Sequence, residues 1–327
     1  MTQPVFFIGD VAVDEYYRLP TWPTAGTKLD VVPQGCEFGG MIANAAVVYA
    51  GFGERAHFVW SMNSSPTSRA MLDELADRGV RTDHVVFDET LADSKNIILL
   101  VDGEHSVLTP APGLDTIELS DEAVAALADA RWVYTAMGDL RALRHAEAGA
   151  AEVIGRLRAA GTRLALDLDV ASLIDGDGDG DGELVGLADL LFVNHHGFER
   201  FCAGRPAAEV VSGLLAGGAA YLVVTRASQG CQVFHANGSV AVPGLDVEAI
   251  DVTGAGDTFG ASFLHALNRT DDLALAASFA NAAAARAVTA TGARAGVATD
   301  AQVLEFMRHH GVCTPAHEAV FAPAPTE

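Results

Sequence analysis

Lysine is almost missing from this chain. Only Lys28 and Lys95 occur, and 20 lysines and arginines face 43 aspartates and glutamates, a formal net charge of −23. Nucleic acid or an anionic membrane needs a basic face, so neither is expected as a partner, and an anionic small substrate would need a locally basic pocket. Cysteine is also sparse. Cys36, Cys202, Cys231 and Cys313 are far apart and show neither C-x-x-C nor His-paired metal spacing, which predicts buried thiols in a reducing compartment. Long apolar runs are missing as well. The run from Val5 to Ile8 stops at Gly9-Asp10 with no basic residue before it, and the Ala-rich stretch 273–290 carries Asn281 and Arg286; neither a signal peptide nor a membrane span is expected, and the location implied is cytoplasmic. No G-x-x-x-x-G-K-[ST] occurs and no G-x-G-x-x-G follows the first strand, which argues against ordinary P-loop and dinucleotide enzymes.

What is present is a chain of 327 residues, half of them hydrophobic, long enough for two domains or for one large unit with an appendage. Apolar strand signals at 5–9, 57–60, 132–135, 164–168, 190–193 and 221–225 alternate with helical periodicity at 67–78, 121–129 and 143–160. That rhythm predicts an α/β fold with a mostly parallel central sheet and helices on both faces. Two segments break it. Residues 14–38 are strand-like pieces punctuated by Pro20, Pro23, Gly26, Pro33 and Gly35, and residues 93–109 hold a hairpin turning at Asp102-Gly103. They are grouped as a projecting β-sheet lid, leaving 1–13, 39–92 and 110–327 as the main domain. The repeat from Asp175 to Gly182 lacks the glutamate that an EF-hand needs at loop position 12, so it reads as an acidic surface insertion.

The most informative stretch is Asp251-Val-Thr-Gly-Ala-Gly-Asp257-Thr-Phe-Gly-Ala-Ser262. Phe259, Phe263 and Leu267 recur every four residues, so a glycine-bearing turn opens a helix there. A helix N-terminus offers free N–H groups and a favourable dipole to an anion, and Gly254 and Gly256 let the main chain approach it. Asp257 would repel a phosphate if binding were its only role. Taking a proton from an attacking hydroxyl is the chemistry that fits its place, which makes this a phosphoryl-transfer reading.

Together with this stretch, Gly39-Gly40-Met-Ile-Ala-Asn44, Gly9-Asp-Val-Ala-Val-Asp14 and the block from Ala280-Asn281 to Gly292 resemble, in order, the signatures of the ribokinase-like carbohydrate kinases. The resemblance implies ATP-dependent phosphorylation of a hydroxymethyl group on a small sugar. In it Asp257 is the general base, the backbone of Gly254, Ala255, Gly256 and Asp257 forms the anion hole, and Asp14, Gly40 and Asn44 contact the sugar. It places the nucleotide against Asn194, Thr225, Gly230 and Asn281, with Mg2+ as cofactor. A monovalent cation, K+, would sit by Asp251, Thr253, Val288 and Thr291, and would stimulate the enzyme by ordering the anion hole.

The chain departs from the family pattern twice. Ala227 stands where the nucleotide loop usually has glycine, and Gly197 replaces the glutamate of an Asn-x-x-Glu motif that helps organise magnesium. A nucleoside kinase of the same family is the alternative, and Gly197 motivates a further one, a catalytically weak sugar or nucleotide sensor. The exposed edges of the lid predict a homodimer with the two lids packed together. Lys28 and Lys95 both fall in the lid. Edge strands favour lysine as protection against aggregation, or these residues contact an anionic group on the sugar. The Gly26-Thr-Lys28 turn and the Arg294-Ala-Gly296 segment resemble family members that accept such sugars.

Overall fold

The computed structural model describes residues 3–102, 104–168 and 181–322; most of the Asp-Gly repeat, residues 175–180, lies outside them. At the centre is an eight-stranded sheet. Its strand order is Gly238–Val242, Cys231–His235, Tyr221–Thr225, Leu190–Asn194, Arg163–Asp167, Trp132–Ala136, Val5–Ile8 and Ala56–Val59. The last six are mutually parallel and the first two pair antiparallel at one edge. Successive side chains of a strand point to opposite faces, so the complete burial of both Phe6 and Phe7 means that both faces are covered. The antiparallel pair was not foreseen, although Asn237-Gly238 between its strands is a hairpin signal.

A separate four-stranded sheet joins segments far apart in sequence, in the order Val32–Gly39, Ala12–Arg18, Lys95–Val101 and Glu104–Leu108. Ala12–Arg18 runs parallel to Lys95–Val101 and antiparallel to Val32–Gly39, with Asp14 opposite both Asn96 and Glu37.

The expectation of one helix over 143–160 needs correction. Leu143–His145 is a short strand paired with Ile117–Glu118 and Ala148–Gly149, and the chain turns at Ala146 in a left-handed conformation (φ 50°). Pairing wins over helical spacing there because Leu143 and Ala148 bury their side chains as strand residues, so the helix starts at Ala150 and ends at Ala160. The cysteines also differ from expectation. All four are free, with Cys202 and Cys231 buried, but Cys36 is exposed on the small sheet and Cys313 half-buried. No helix among the described residues is long and apolar enough to cross a membrane.

Candidate active site

In a parallel sheet, ligands bind beyond the carboxyl ends of the strands, at the point where strand order reverses. Here that point lies between Val5–Ile8 and Trp132–Ala136, because the chain leaves Val5–Ile8 for Ala56–Val59 on one side and then crosses to the other. An open cavity of about 1130 Å3 lies there. Asp10 lines it directly after the first strand, Asp14, Tyr16, Glu37, Asn96 and Ile98 line it from the small sheet, and Gly40, Asn44, Asp251, Gly254 and Asp257 from the main body.

Two helices start at this cavity, each from a glycine with a left-handed backbone. Gly254 (φ 73°) caps the helix Ala255–Leu267, and a Cβ on it would press into the Ala293 carbonyl. Phe259 and Phe263 anchor that helix by stacking on each other and meeting Phe192 of the central sheet edge-on. Within its start, Ala255 N–H already donates to the Val252 carbonyl at 3.2 Å. The N–H groups of Gly256 and Asp257 are first-turn donors for which a helix supplies no acceptor of its own. Gly40 (φ 97°) precedes the helix Met41–Gly51, and a Cβ there would strike the backbone of Asp10 and Val11. That helix packs on Ala255–Leu267, which brings Asn44 to Asp257.

Asn44 Nδ2 donates to Asp257 Oδ2 at 2.9 Å. Burial pushes the Asp257 carboxyl up to about 7, the Asn44 amide opposes this, and the charge of Asp10 adds to it. A carboxyl so placed is poised to exchange a proton at neutral pH. Across the cavity, Asn96 Nδ2 donates to Asp14 Oδ1 at 2.7 Å. Burial raises the Asp14 carboxyl against the opposing effects of Asn96 and Arg294. The Tyr16 hydroxyl is pushed up to about 12 by burial and by the nearby carboxylates of Asp14, Glu37 and Asp251.

Sequence reasoning missed Asn96, Asp10 and the structural role of Arg294. Asp10 Oδ1 accepts from Ile42 N–H at 3.2 Å and its carbonyl from Ala43 N–H at 3.1 Å, so it holds the start of the Asn44 helix. Its place inside the Gly9–Asp14 motif was the available signal. Asn96 carried none, because its pairing with Asp14 depends on a parallel register across 82 residues.

The residues expected at the nucleotide lie elsewhere along the same sheet edge. Asn194 and Thr225 end neighbouring parallel strands and are paired in register. The Asn194 side chain accepts from Gly197 N–H at 2.8 Å and so caps the helix His195–Cys202. Gly230 closes the loop after Thr225, its carbonyl accepting from Arg226 N–H at 2.7 Å. Within that loop Ala227 adopts the left-handed conformation (φ 49°) natural to glycine. Asn281 is buried and donates to the carbonyls of Val242 and Pro243 at 3.3 and 3.1 Å. These four do not line the cavity that holds Asp257.

For Mg2+ the chain offers no protein cage: no group of three or more His, Cys, Asp or Glu able to hold a metal occurs among the described residues. Glu199, two residues beyond Gly197, is exposed and pairs with His195 at 3.3 Å. Magnesium that arrives on nucleotide phosphates with its own waters needs no such cage. At the expected monovalent site, Asp251 and Val288 do come together, but their oxygens are engaged. Asp251 accepts from Thr253 and Gly292 N–H, both at 2.9 Å, and the Val288 carbonyl from Ile250 and Asp251 N–H at 2.7 and 3.2 Å. These hydrogen bonds order the segment without excluding a cation, because a carboxylate oxygen that accepts one N–H has a second lone-pair position. Thr291 lines the main cavity beside Thr253.

The two lysines do not line that cavity either. Lys28 is exposed in the loop before Val32–Gly39, and Lys95 lies on the other face of its strand from Asn96, 3.7 Å from Glu15.

The sequence profile of the pfkB family carbohydrate kinases matches residues 5–300. A ribokinase of Haemophilus influenzae is 26% identical over 325 residues, covering 94% of this chain and all of the relative. An aminoimidazole riboside kinase of Salmonella typhimurium is 27% identical, covering 89% of this chain and 96% of the relative. The structure of Arabidopsis thaliana ribokinase complexed with ribose and ATP superposes with a TM-score of 0.79 at 21% identity, covering 94% and 99% of the two chains.

Proposed function

The chain belongs to the pfkB family of carbohydrate kinases, and from that premise we propose that it transfers the γ-phosphoryl group of ATP to a hydroxymethyl group of a small sugar. Asp257 takes the hydroxyl proton as the sugar oxygen bonds to phosphorus and the bond from the γ-phosphorus to the bridging oxygen of ADP breaks. Asn44 and Asp14 bind the sugar's hydroxyls. The free N–H groups and dipole at the start of Ala255–Leu267 stabilise the charge on the moving phosphoryl group. The single observation that carries this reading is the Asn44–Asp257 hydrogen bond at the mouth of that helix, in a cavity flanked by Asp14.

ATP and Mg2+ are the co-substrate and cofactor of this reading, with Asn194, Thr225, Gly230 and Asn281 marking the nucleotide end and Mg2+ shielding the phosphate charge. The small sheet, with strands drawn from 12–39 and 95–108, serves as a lid that excludes water. Its outer strands leave Val32, Val107 and Leu108 exposed at 59%, 49% and 50%, which supports a homodimer through the lids. Light scattering at micromolar concentration tests this, and a monomer contradicts it.

An ADP-release assay over a panel of pentoses, hexoses and nucleosides tests the main reading. Turnover of a sugar supports it; turnover of nucleosides alone would move the substrate class, and no turnover of any would leave a sensor.

A further inference from the structure

An amide side chain can present either its N–H2 or its carbonyl to a neighbour. Only the N–H2 end favours an ionised Asp257, because a carbonyl facing a carboxylate repels it and selects the protonated acid. The molecule holds a device that decides between the two. Arg294 Nε donates to Asn44 Oδ1 at 3.2 Å. A guanidinium has donors and no acceptor, so it takes the carbonyl end of Asn44 and leaves Nδ2 for Asp257 at 2.9 Å.

Arg294 is itself held firmly. It is only 9% exposed, its Nη1 pairs with the Glu74 carboxylate, and its Nη2 donates to the Gly39 carbonyl at 3.3 Å. Gly39 is the last residue of the strand Val32–Gly39, directly before Gly40 and the helix that carries Asn44. One guanidinium therefore grips the join between the small sheet and the helix while it orients the side chain that meets Asp257. Glu74 offsets only part of its charge, since that carboxylate also pairs with Arg78 at 3.0 Å, and Arg294 does not line the cavity.

We propose that Arg294 is a positioning residue for phosphoryl transfer, fixing the Asn44 amide so that Asp257 meets a donor and not an acceptor. This rests on the reading of Asp257 as the base. The other titratable groups near the Asp257 carboxyl are Asp10 and the buried Tyr134 hydroxyl, and Arg294 also lowers the Asp14 carboxyl across the cavity, which a residue-resolved titration reads apart from Asp257.

The test compares the parent enzyme with Arg294→Lys, which keeps a charge opposite Glu74 and with it the fold, but lacks the planar fork that reaches Asn44 and Gly39 together. The pair Arg294→Met with Glu74→Met is a second variant, since exchanging both partners of a buried ion pair for apolar residues commonly preserves stability. In both, kcat is expected to fall about tenfold or more with the KM for ATP unchanged, and the acid limb of the kcat profile to move to higher pH. Parental kcat and parental limb in either folded variant overturns the proposal, and so does a lower kcat with an unmoved limb, which is what a merely structural role gives. If the parent itself forms no ADP with any sugar, the functional reading fails separately. The Asp257 carboxyl titration, followed by 13C NMR in the unliganded protein, then decides: a higher midpoint in Arg294→Lys supports the proposal and an equal midpoint overturns it.

Discussion

Asn44 and Asp257 share a 2.9 Å hydrogen bond although 213 residues separate them. Each sits in the first turn of a helix that starts from a left-handed glycine, Gly40 in one case and Gly254 in the other. The two glycine motifs are thus halves of one arrangement. Close packing of the two helices needs small residues at their starts, and the same small residues open the cavity to substrate.

Removing the carboxylate but not its shape tests its role directly. Asp257→Asn is expected to lower kcat by about 10²-fold or more, the effect of losing a positioned general base, while ATP affinity stays at the parental value. Single-turnover kinetics and a nucleotide titration measure the two, and near-parental turnover removes Asp257 as the base.

The pH dependence follows from the same group. A base must be ionised, so kcat should rise through pH 7, where burial has placed this carboxyl, and level off above it. Stability moves the other way. The folded pKa is raised from 3.8 to about 7, so the protonated form is the one the fold favours, and this contribution is lost as pH rises through about 7. Asp257→Asn should therefore melt above the parent at pH 8, with the gap closing toward pH 4. A gap independent of pH would assign the gain to something other than this carboxyl.

Much of this site was legible in the sequence because its chemistry lies in contiguous turns. Gly254 to Asp257 and Gly40 to Asn44 are helix starts, and a helix start is a local property of the chain. What was not legible depends on register and on long-range packing. Asn96 meets Asp14 only through a parallel pairing of strands 82 residues apart. Arg294 in sequence is one arginine in a glycine-rich turn, and its burial against Glu74 and Asn44 needs three distant segments to converge. The helix expected from 143 failed for the same reason, since pairing with Ile117–Glu118 outweighed local spacing.

At Ala227 the usual cost of glycine should reverse. Ala→Gly in ordinary backbone destabilises through unfolded-state entropy, but a non-glycine residue in the left-handed region is strained by roughly 1 to 2 kcal/mol. With φ at 49°, Ala227→Gly should leave the melting temperature unchanged or raise it. Denaturant unfolding checks this, and a loss of about 1 kcal/mol or more would mean that the loop does not hold this conformation in solution.

Gly254 offers the opposite case. Its φ of 73° and the Ala293 carbonyl lying where a Cβ would be leave no room for a side chain. Gly254→Ala should destabilise by roughly 2 kcal/mol or more, through backbone strain and overpacking together. It should also abolish turnover, because the N–H groups beside Asp257 move with the helix start. A variant with parental melting and parental kcat would show that this turn is not the anion site.

The last expectation concerns the charge of the sugar. Lys28 and Lys95 are the chain's two lysines, and the structure puts neither at the cavity: one is exposed, the other faces Glu15. Arg294, in the segment that resembles acidic-sugar kinases, is buried against Glu74 and turned toward Asn44. The described lining residues include the carboxylates of Asp10, Asp14, Glu37, Asp102, Glu104, Asp251 and Asp257, with Arg18 as the one cation. A sugar bearing a phosphate, sulfonate or carboxylate would meet repulsion that salt screens only in part within a half-enclosed site. Neutral sugars are therefore expected to outperform their anionic counterparts in kcat/KM by roughly tenfold or more, one such unfavourable charge contact being worth about 1.4 kcal/mol or more. Lys28→Ala and Lys95→Ala should keep the parental KM for the best sugar. Competition assays with matched neutral and anionic sugars measure the first, and steady-state kinetics the second. A preference for the anionic member, lost in either alanine variant, would show that a lysine reaches the sugar after all.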